Sequence, residues 1–202
     1  MTTPATTSGT TAAAAAVPAM HPRIHELLEI LRSARADLQA AVEEVPIAMR
    51  DRRPAPDRWS VAEVLEHLGI VERRVAQLLA TRFAAARTEA VERERETSSI
   101  CDRMPNAALQ DRTVKVTAPE MLQPTGTVDA AAAWAALEEA RAALNAVIRT
   151  ADGLALGTLT HRHPRLGELD LYQYIGSIAG HESRHAAQVR EIADAFIVAD
   201  GG

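Results

Sequence analysis

Apolar residues recur at every third or fourth position in four stretches of the chain, and this is the period of an amphipathic α-helix. The four stretches are residues 22–45, 60–86, 127–150 and 170–196. The sequence shows no internal repeat and no convincing sheet between them. The pattern therefore predicts an all-α domain, a four-helix bundle in which each helix buries one apolar face.

Two of the predicted helices begin with a recognisable N-terminal signature. Ser60 and Asp170 stand at N-cap positions, and Glu63 and Gln173 follow three residues later, where their side chains complete a capping box. These residues define the starts of helices two and four. After helix two, residues 92–96 alternate Glu and Arg without an apolar face, and we expect them to continue the helix as a solvated, ion-paired end.

The connection between helices two and three, residues 97–126, is far longer than the few residues that join antiparallel neighbours. Such a length predicts a crossover along the bundle, so that helices two and three run parallel in an up-down-down-up order. A lid over a functional site is the alternative. Residues 113–117 alternate apolar and polar side chains and are compatible with an extended segment, although no partner strand is evident.

Composition and charge narrow the class of protein. The 202 residues suit one domain, residues 22–198, preceded by a flexible Thr- and Ala-rich tail, residues 1–21. The formal charge of −5 argues against nucleic-acid binding through the overall field of the protein. No stretch has the length and hydropathy of a membrane span or a signal peptide, and the single cysteine, Cys101, is interpreted as an incidental thiol. We expect a soluble cytoplasmic protein.

Three histidines are the strongest candidates for chemistry. His181 and His185 are one turn apart in helix four, so both imidazoles point the same way, and His67 lies at the margin of the buried face of helix two. A lone histidine on an apolar face is more often a core residue bonded to a carbonyl. Three of them are satisfied together by one cation, and three neutral nitrogens leave a coordination position open, as in catalytic zinc sites. We therefore predict a metal site at His67, His181 and His185.

Two further polar residues are candidates for supporting roles. Gln188 shares the helix face of the two histidines and is placed to orient one of them or a bound water, with solvent exposure as the alternative. Glu72 lies near the other margin of the helix-two face, where it either supports the site or pairs with an arginine. The roles of His161 and His163, in the linker before helix four, stay open, and His163 is the next candidate ligand.

The string His181-Glu182-Ser183-Arg184-His185 also matches the HExxH motif of zinc proteases, in which the glutamate activates water. The metzincin form of that motif requires a glycine and a third ligand at the positions of Gln188 and Glu191. The apolar stripe of helix four also continues without a break, with Glu182 expected between that stripe and solvent. The context therefore argues against a protease.

Several short motifs, taken in their order, resemble the DinB-like family, which includes YfiT-type metal-dependent hydrolases and thiol transferases. They are Trp59-Ser60-Val61 leading to His67-Leu68, Ala118-Pro119-Glu120, Pro124-Thr125-Gly126, His163-Pro164 with Leu166-Gly167, and His181-x-x-x-His185-x-x-Gln188. The resemblance implies a four-helix bundle with a long connection between helices two and three. It also implies a nickel or zinc ion on His67, His181 and His185, and frequent homodimers.

The resemblance implies no single reaction, since similar proteins conjugate low-molecular-weight thiols or use them as cofactors. Two classes of function follow. The first is a metal-dependent enzyme, a hydrolase or a thiol S-transferase that acts on a small-molecule substrate. The second is a non-catalytic, stress-linked module in which the same histidines only bind a metal or ligand. The three histidines and the long connection favour the enzyme.

Overall fold

The computed structural model describes residues 20–113 and 116–200, and most of these residues are helical. The four long helices are α1 (Pro22–Glu43), α2 (Val61–Thr88), α4 (Ala130–Thr150) and α5 (Leu171–Asp200), and a short helix, α3 (Asn106–Gln110), lies in the long connection. The all-α prediction is confirmed. None of the helices among the described residues combines the length and hydropathy that crossing a membrane requires.

Capping residues set the starts of the long helices. The Ser60 side chain accepts from the Glu63 amide while the Glu63 carboxylate accepts from the Ser60 amide, as predicted for α2. The same exchange joins Asp170 and Gln173 at the start of α5. α4 begins at Ala130, three residues later than predicted, because Asp129 caps it.

The core is divided between the two ends of the bundle. One cluster combines the end of α1, the starts of α2 and α4, and the end of α5. The other combines the start of α1, the ends of α2 and α4, and the start of α5. An up-down-down-up order requires this distribution of core residues; the order itself stays a prediction.

The prediction that residues 92–96 continue helix two was wrong. α2 ends at Thr88, and the chain beyond it is extended, with Arg93 bridged to Leu154. The Glu94 side chain is buried, accepts from the Tyr172 hydroxyl at 2.7 Å and pairs with Arg23 at 3.1 Å. These long-range contacts satisfy Glu94 better than a solvated helix end would, so tertiary structure overrides the local pattern.

The structure also contains one small sheet among the described residues that the sequence did not indicate. Two short strands, β1 (Thr160–His163) and β2 (Gly167–Asp170), form an antiparallel hairpin immediately before α5. Gly167 adopts a φ of +77°, which is favourable for glycine after the turn. With four residues each, these strands are too short to show a recognisable alternation.

The described part of the 97–126 connection, which leaves out residues 114 and 115, is largely irregular. It contains α3 and two 3-10 turns, Cys101–Arg103 and Glu120–Leu122, and α3 packs against α5. The predicted extended segment, residues 113–117, lies partly outside the described residues, as does the predicted tail except for Met20 and His21. Leu122, at the end of the second 3-10 turn, brings this connection to the functional site.

Candidate metal centre

His67 lies in the second turn of α2 and is held by the long connection. Its side chain is buried, with 4% of the residue exposed. Its Nδ1 is 2.7 Å from the Leu122 carbonyl oxygen. A carbonyl only accepts, so Nδ1 carries the proton and donates it, and the lone pair of the ring lies on Nε2.

His181 and His185 meet His67 from one face of α5. The Nε2 atom of His181 lies 3.3 Å from Nε2 of His67 and 3.1 Å from Nε2 of His185. The ligating atoms of all three residues lie within 4.8 Å of one another. His185 is buried and His181 is partly exposed, so the group opens toward solvent on the side of His181.

Gln188 takes the predicted place one turn beyond His185. Its Oε1 lies 2.9 Å from Nδ1 of His185. With the amide oxygen accepting, His185 donates from Nδ1 and its Nε2 lone pair is free, like that of His67. Two of the three rings therefore have the tautomer that presents Nε2 to a shared ligand.

The spacing of the three rings fits a metal ion. Nitrogen ligands at about 2.0–2.1 Å from a tetrahedral zinc ion lie roughly 3.3–3.4 Å apart, close to the two Nε2 separations found here. Hydrogen bonds cannot account for both contacts, because only His181 has an Nε2 proton to offer and it points at one neighbour at a time. The three-histidine group is therefore able to bind a metal ion.

Burial also keeps these imidazoles neutral, which is the form that binds metals. Desolvation lowers the pKa of His67 and lowers that of His185 well below its ordinary value, and the proximity of His181 adds to the shift in His185. Desolvation of the His181 ring by the residues around it, followed by the nearby His67, lowers the pKa of His181 to about 3, although part of the residue is exposed. At neutral pH none of the three rings carries a second proton, so each ring keeps one nitrogen lone pair for a metal ion.

Trp59, one residue before the N-cap of α2, forms a wall of the site. Its ring centroid is 5.1 Å from that of His67, and it stacks on His185 at 6.4 Å with an interplanar angle of 15°. Sequence reasoning placed Trp59 at the start of helix two, packed against Val64 as a hydrophobic staple, and missed its contact with the histidines. The Leu122 carbonyl was also missed, because a backbone oxygen has no sequence signal.

Glu182 was expected between the apolar stripe and solvent, but it lies in the bundle interior. None of Glu182 is exposed, and its carboxylate accepts from Arg35 at 2.6 Å and from Arg141 at 2.7 Å. Glu72, with 1% exposed, accepts from the same two arginines at 2.7–3.0 Å. We call Arg35, Glu72, Arg141 and Glu182 the ion quartet.

The ion quartet accounts for the hydrogen bonds of both glutamates. Glu72 pairs with arginines, and both of its carboxylate oxygens accept from guanidinium groups. Burial raises the pKa of Glu72, and Arg141 opposes that shift. Both oxygens of Glu182 are taken by guanidinium groups, so this glutamate is not placed to activate water as in HExxH proteases.

The remaining candidate residues lie apart from the three-histidine group. His161 and His163 belong to β1 and pack edge-on against the Tyr174 ring at 4.9 and 5.9 Å. His163 Nδ1 accepts from the amides of Arg165 and Leu166, which stabilises the hairpin turn. The Cys101 thiol is exposed and bonds to Glu26.

The fold and the histidine group agree with what the chain resembles. A family model described as the DinB superfamily matches residues 30–189, and the chain therefore belongs to the DinB superfamily. A relative, the uncharacterized protein YuaE of Bacillus subtilis (strain 168), is 26% identical over 166 residues, which cover 82% of this chain and 96% of YuaE. No solved structure matches the chain significantly.

Proposed function

We propose that this protein is a metal-dependent enzyme that binds one divalent transition metal ion, zinc or nickel, through His67, His181 and His185. The observation that carries the proposal is the convergence of the three Nε2 atoms at separations suited to a single ion. The hydrogen bonds of His67 to Leu122 and of His185 to Gln188 support it, because they fix the tautomers that metal binding needs.

A divalent ion on three neutral ligands supplies a Lewis acid that lowers the pKa of water or of a thiol at its open position. The protein's own residues determine how a substrate reaches that position. His181 is the partly exposed member of the group, so we infer that a small molecule approaches past its ring. Trp59 covers another part of the group by packing on His67 and His185. This chemistry serves a hydrolase or a low-molecular-weight thiol S-transferase.

Elemental analysis of the purified protein tests the metal site. We expect about one divalent ion per chain, as a mononuclear three-histidine site requires. His67→Ala, His181→Ala and His185→Ala should each remove most of it while circular dichroism still reports a helical protein. His161→Ala is the matched control and should keep the ion. Full metal content in His67→Ala would show that the ligand set is wrong, and His163 would be tested next.

A paired activity screen tests the reaction class. The metal-loaded protein and His185→Ala are assayed with low-molecular-weight thiols plus electrophilic acceptors, and separately with ester and amide substrates. Turnover that requires His185 in one of the two panels supports an enzyme and identifies its class. Stoichiometric metal without turnover in either panel would favour the non-catalytic metal- or ligand-binding module. Sedimentation of the same samples tests the homodimer that we also propose.

A further inference from the structure

The position of the Leu122 carbonyl depends on how the long connection is fastened to α2. Leu122 ends the 3-10 turn Glu120–Leu122, and its amide bonds to the Pro119 carbonyl at 2.8 Å. This internal bond shapes the turn, but it does not hold the turn against His67. A contact further along the chain is needed for that.

Glu66, the residue immediately before His67, supplies this contact. Its Oε1 accepts from the Thr125 hydroxyl at 2.8 Å, and its Oε2 accepts from the amides of Thr125 at 3.0 Å and Gly126 at 3.4 Å. The carboxylate thus binds a segment that begins only three residues after Leu122. Two neighbouring residues of α2 therefore hold two neighbouring points of the connection.

The local backbone is shaped to meet this carboxylate. Gly126 has a φ of +71°, in the region that favours glycine, and a Cβ there would lie 3.2 Å from Oε1 of Glu63. The Thr125 hydroxyl also lies 2.8 Å from the Thr127 hydroxyl. The turn therefore directs the two amides and the Thr125 hydroxyl at Glu66.

We propose that Glu66 is a positioning residue of the metal centre: by fastening Thr125, it holds the Leu122 carbonyl where it accepts the Nδ1 proton of His67 and keeps Nε2 directed at the ion. The proposal rests on the proposed metal site. Glu66 itself does not ligate the ion. Loss of the direct hydrogen-bond partner of a metal-bound histidine typically lowers metal affinity about 10- to 100-fold, and we expect displacement of the Leu122 carbonyl to act in the same way.

The chain offers a closely matched control at the other end of the bundle. Glu26 of α1 is also partly buried and also fastens a connection, since it accepts from the Ile100 amide at 2.8 Å and from the Ser99 hydroxyl. Its loss removes the same kind of bonds without touching the histidine group. A comparison of Glu66→Ala with Glu26→Ala therefore separates positioning from loop anchoring in general.

The first measurement is zinc affinity by competition with a chelator. We expect Glu66→Ala to bind zinc at least about 10-fold more weakly than wild type. Thr125→Val should also bind more weakly, whereas Thr125→Ser, which keeps the hydroxyl, and Glu26→Ala should stay within about 2-fold of wild type. Equal affinities in Glu66→Ala and Glu26→Ala would overturn the proposal. Should Glu66→Ala not fold, Thr125→Val against Thr125→Ser decides in the same way.

The second measurement needs no metal. In the metal-free protein, long-range proton–nitrogen NMR spectra report the tautomer of His67, which we expect to be Nδ1-protonated in wild type and in Glu26→Ala. In Glu66→Ala a mixture of tautomers is expected, and an unchanged Nδ1-protonated ring would overturn the proposal. If wild type binds no metal at all, the proposed function fails, while the tautomer result still tests the role of Glu66.

Discussion

The three-histidine group and the ion quartet are neighbours in the bundle interior, yet they solve the problem of buried polar groups in opposite ways. His181 and Glu182 are adjacent on α5, and the rotation of about 100° per residue sends one into each group. In the ion quartet every carboxylate oxygen accepts from a guanidinium. In the histidine group, Nε2 atoms converge without enough protons to bond them.

This difference teaches how to separate structure from function among buried polar residues. Two glutamates and two arginines, one from each long helix, pair with one another, so the oxygens of both carboxylates already accept from guanidinium groups. In the three-histidine group, by contrast, converging nitrogen lone pairs are suited to a bound cation rather than to one another. We therefore predict that substitutions in the ion quartet mainly change stability, whereas substitutions in the histidine group mainly change metal binding. The two sets of variants test this distinction.

The largest expected effect comes from breaking the ion quartet. Glu182→Ala leaves two buried guanidiniums short of a carboxylate, so we expect the free energy of unfolding to fall by about 3–5 kcal/mol. Urea denaturation of the metal-free protein measures this. Glu191→Ala, which removes the more exposed pairs with Arg58 and Arg112, is the control and should cost below about 1 kcal/mol. Similar losses in both variants would mean that the quartet is not a structural centre.

The next effect concerns the histidine group alone. Zinc at about one hundred times its Kd should raise the free energy of unfolding by about 2.7 kcal/mol, because it binds only the folded chain. Unfolding curves with zinc and with a chelator measure the gain. His185→Ala should abolish it. A gain that persists in His185→Ala would place the bound ion elsewhere.

A smaller effect is expected from the residue that orients His185. Gln188→Ala removes the acceptor at Nδ1, and we expect zinc affinity to fall about 10-fold or more. Chelator competition measures the change, with the exposed Gln77→Ala of α2 as the control. An unchanged affinity would mean that the Gln188 contact leaves the ring unaffected.

The pH dependence of the metal-free protein should reveal the buried imidazoles. Above pH 6.5 His181 is neutral in both the folded and the unfolded chain. Below pH 6.5 His181 binds a proton in the unfolded chain, whereas in the folded chain it stays neutral until the pH approaches its folded-state pKa of about 3. As the pH is lowered below 6.5, the free energy of unfolding therefore decreases, by about 1.4 kcal/mol per pH unit for a fully shifted group. His181→Gln should show a shallower fall between pH 6 and 4.5, and equal slopes would contradict the shifted pKa.

The sequence predicted the structure correctly where that structure depends on residues close together along the chain. The Ser60 and Glu63 exchange and the Asp170 and Gln173 exchange are local, and both are present as predicted. Periodicity also placed His67, His181 and His185 on faces that meet. These are the features for which local chemistry and fold agree.

The failures have a common physical cause, which is that the deciding partner lies far away in the chain. The sequence of residues 92–96 is typical of a solvated helix end, but Arg23 and Tyr172 bind the Glu94 carboxylate and hold this segment in another conformation. Glu182 lies at the margin of a helical stripe, and only Arg35 and Arg141, from two other helices, show that it belongs inside. A carbonyl such as that of Leu122 exists at every residue, so its role cannot be read from residue type.

The ion quartet also limits how this molecule can move. A slip of α5 by one turn shifts Glu182 by about 5.4 Å, which separates it from both guanidiniums and strands them in the interior. We therefore expect sliding of the long helices to be strongly disfavoured, so that the bundle behaves as a rigid frame. We expect any motion that accompanies ligand entry to occur outside this frame, above all in the β1–β2 hairpin, whose rearrangement costs no buried charge of the quartet.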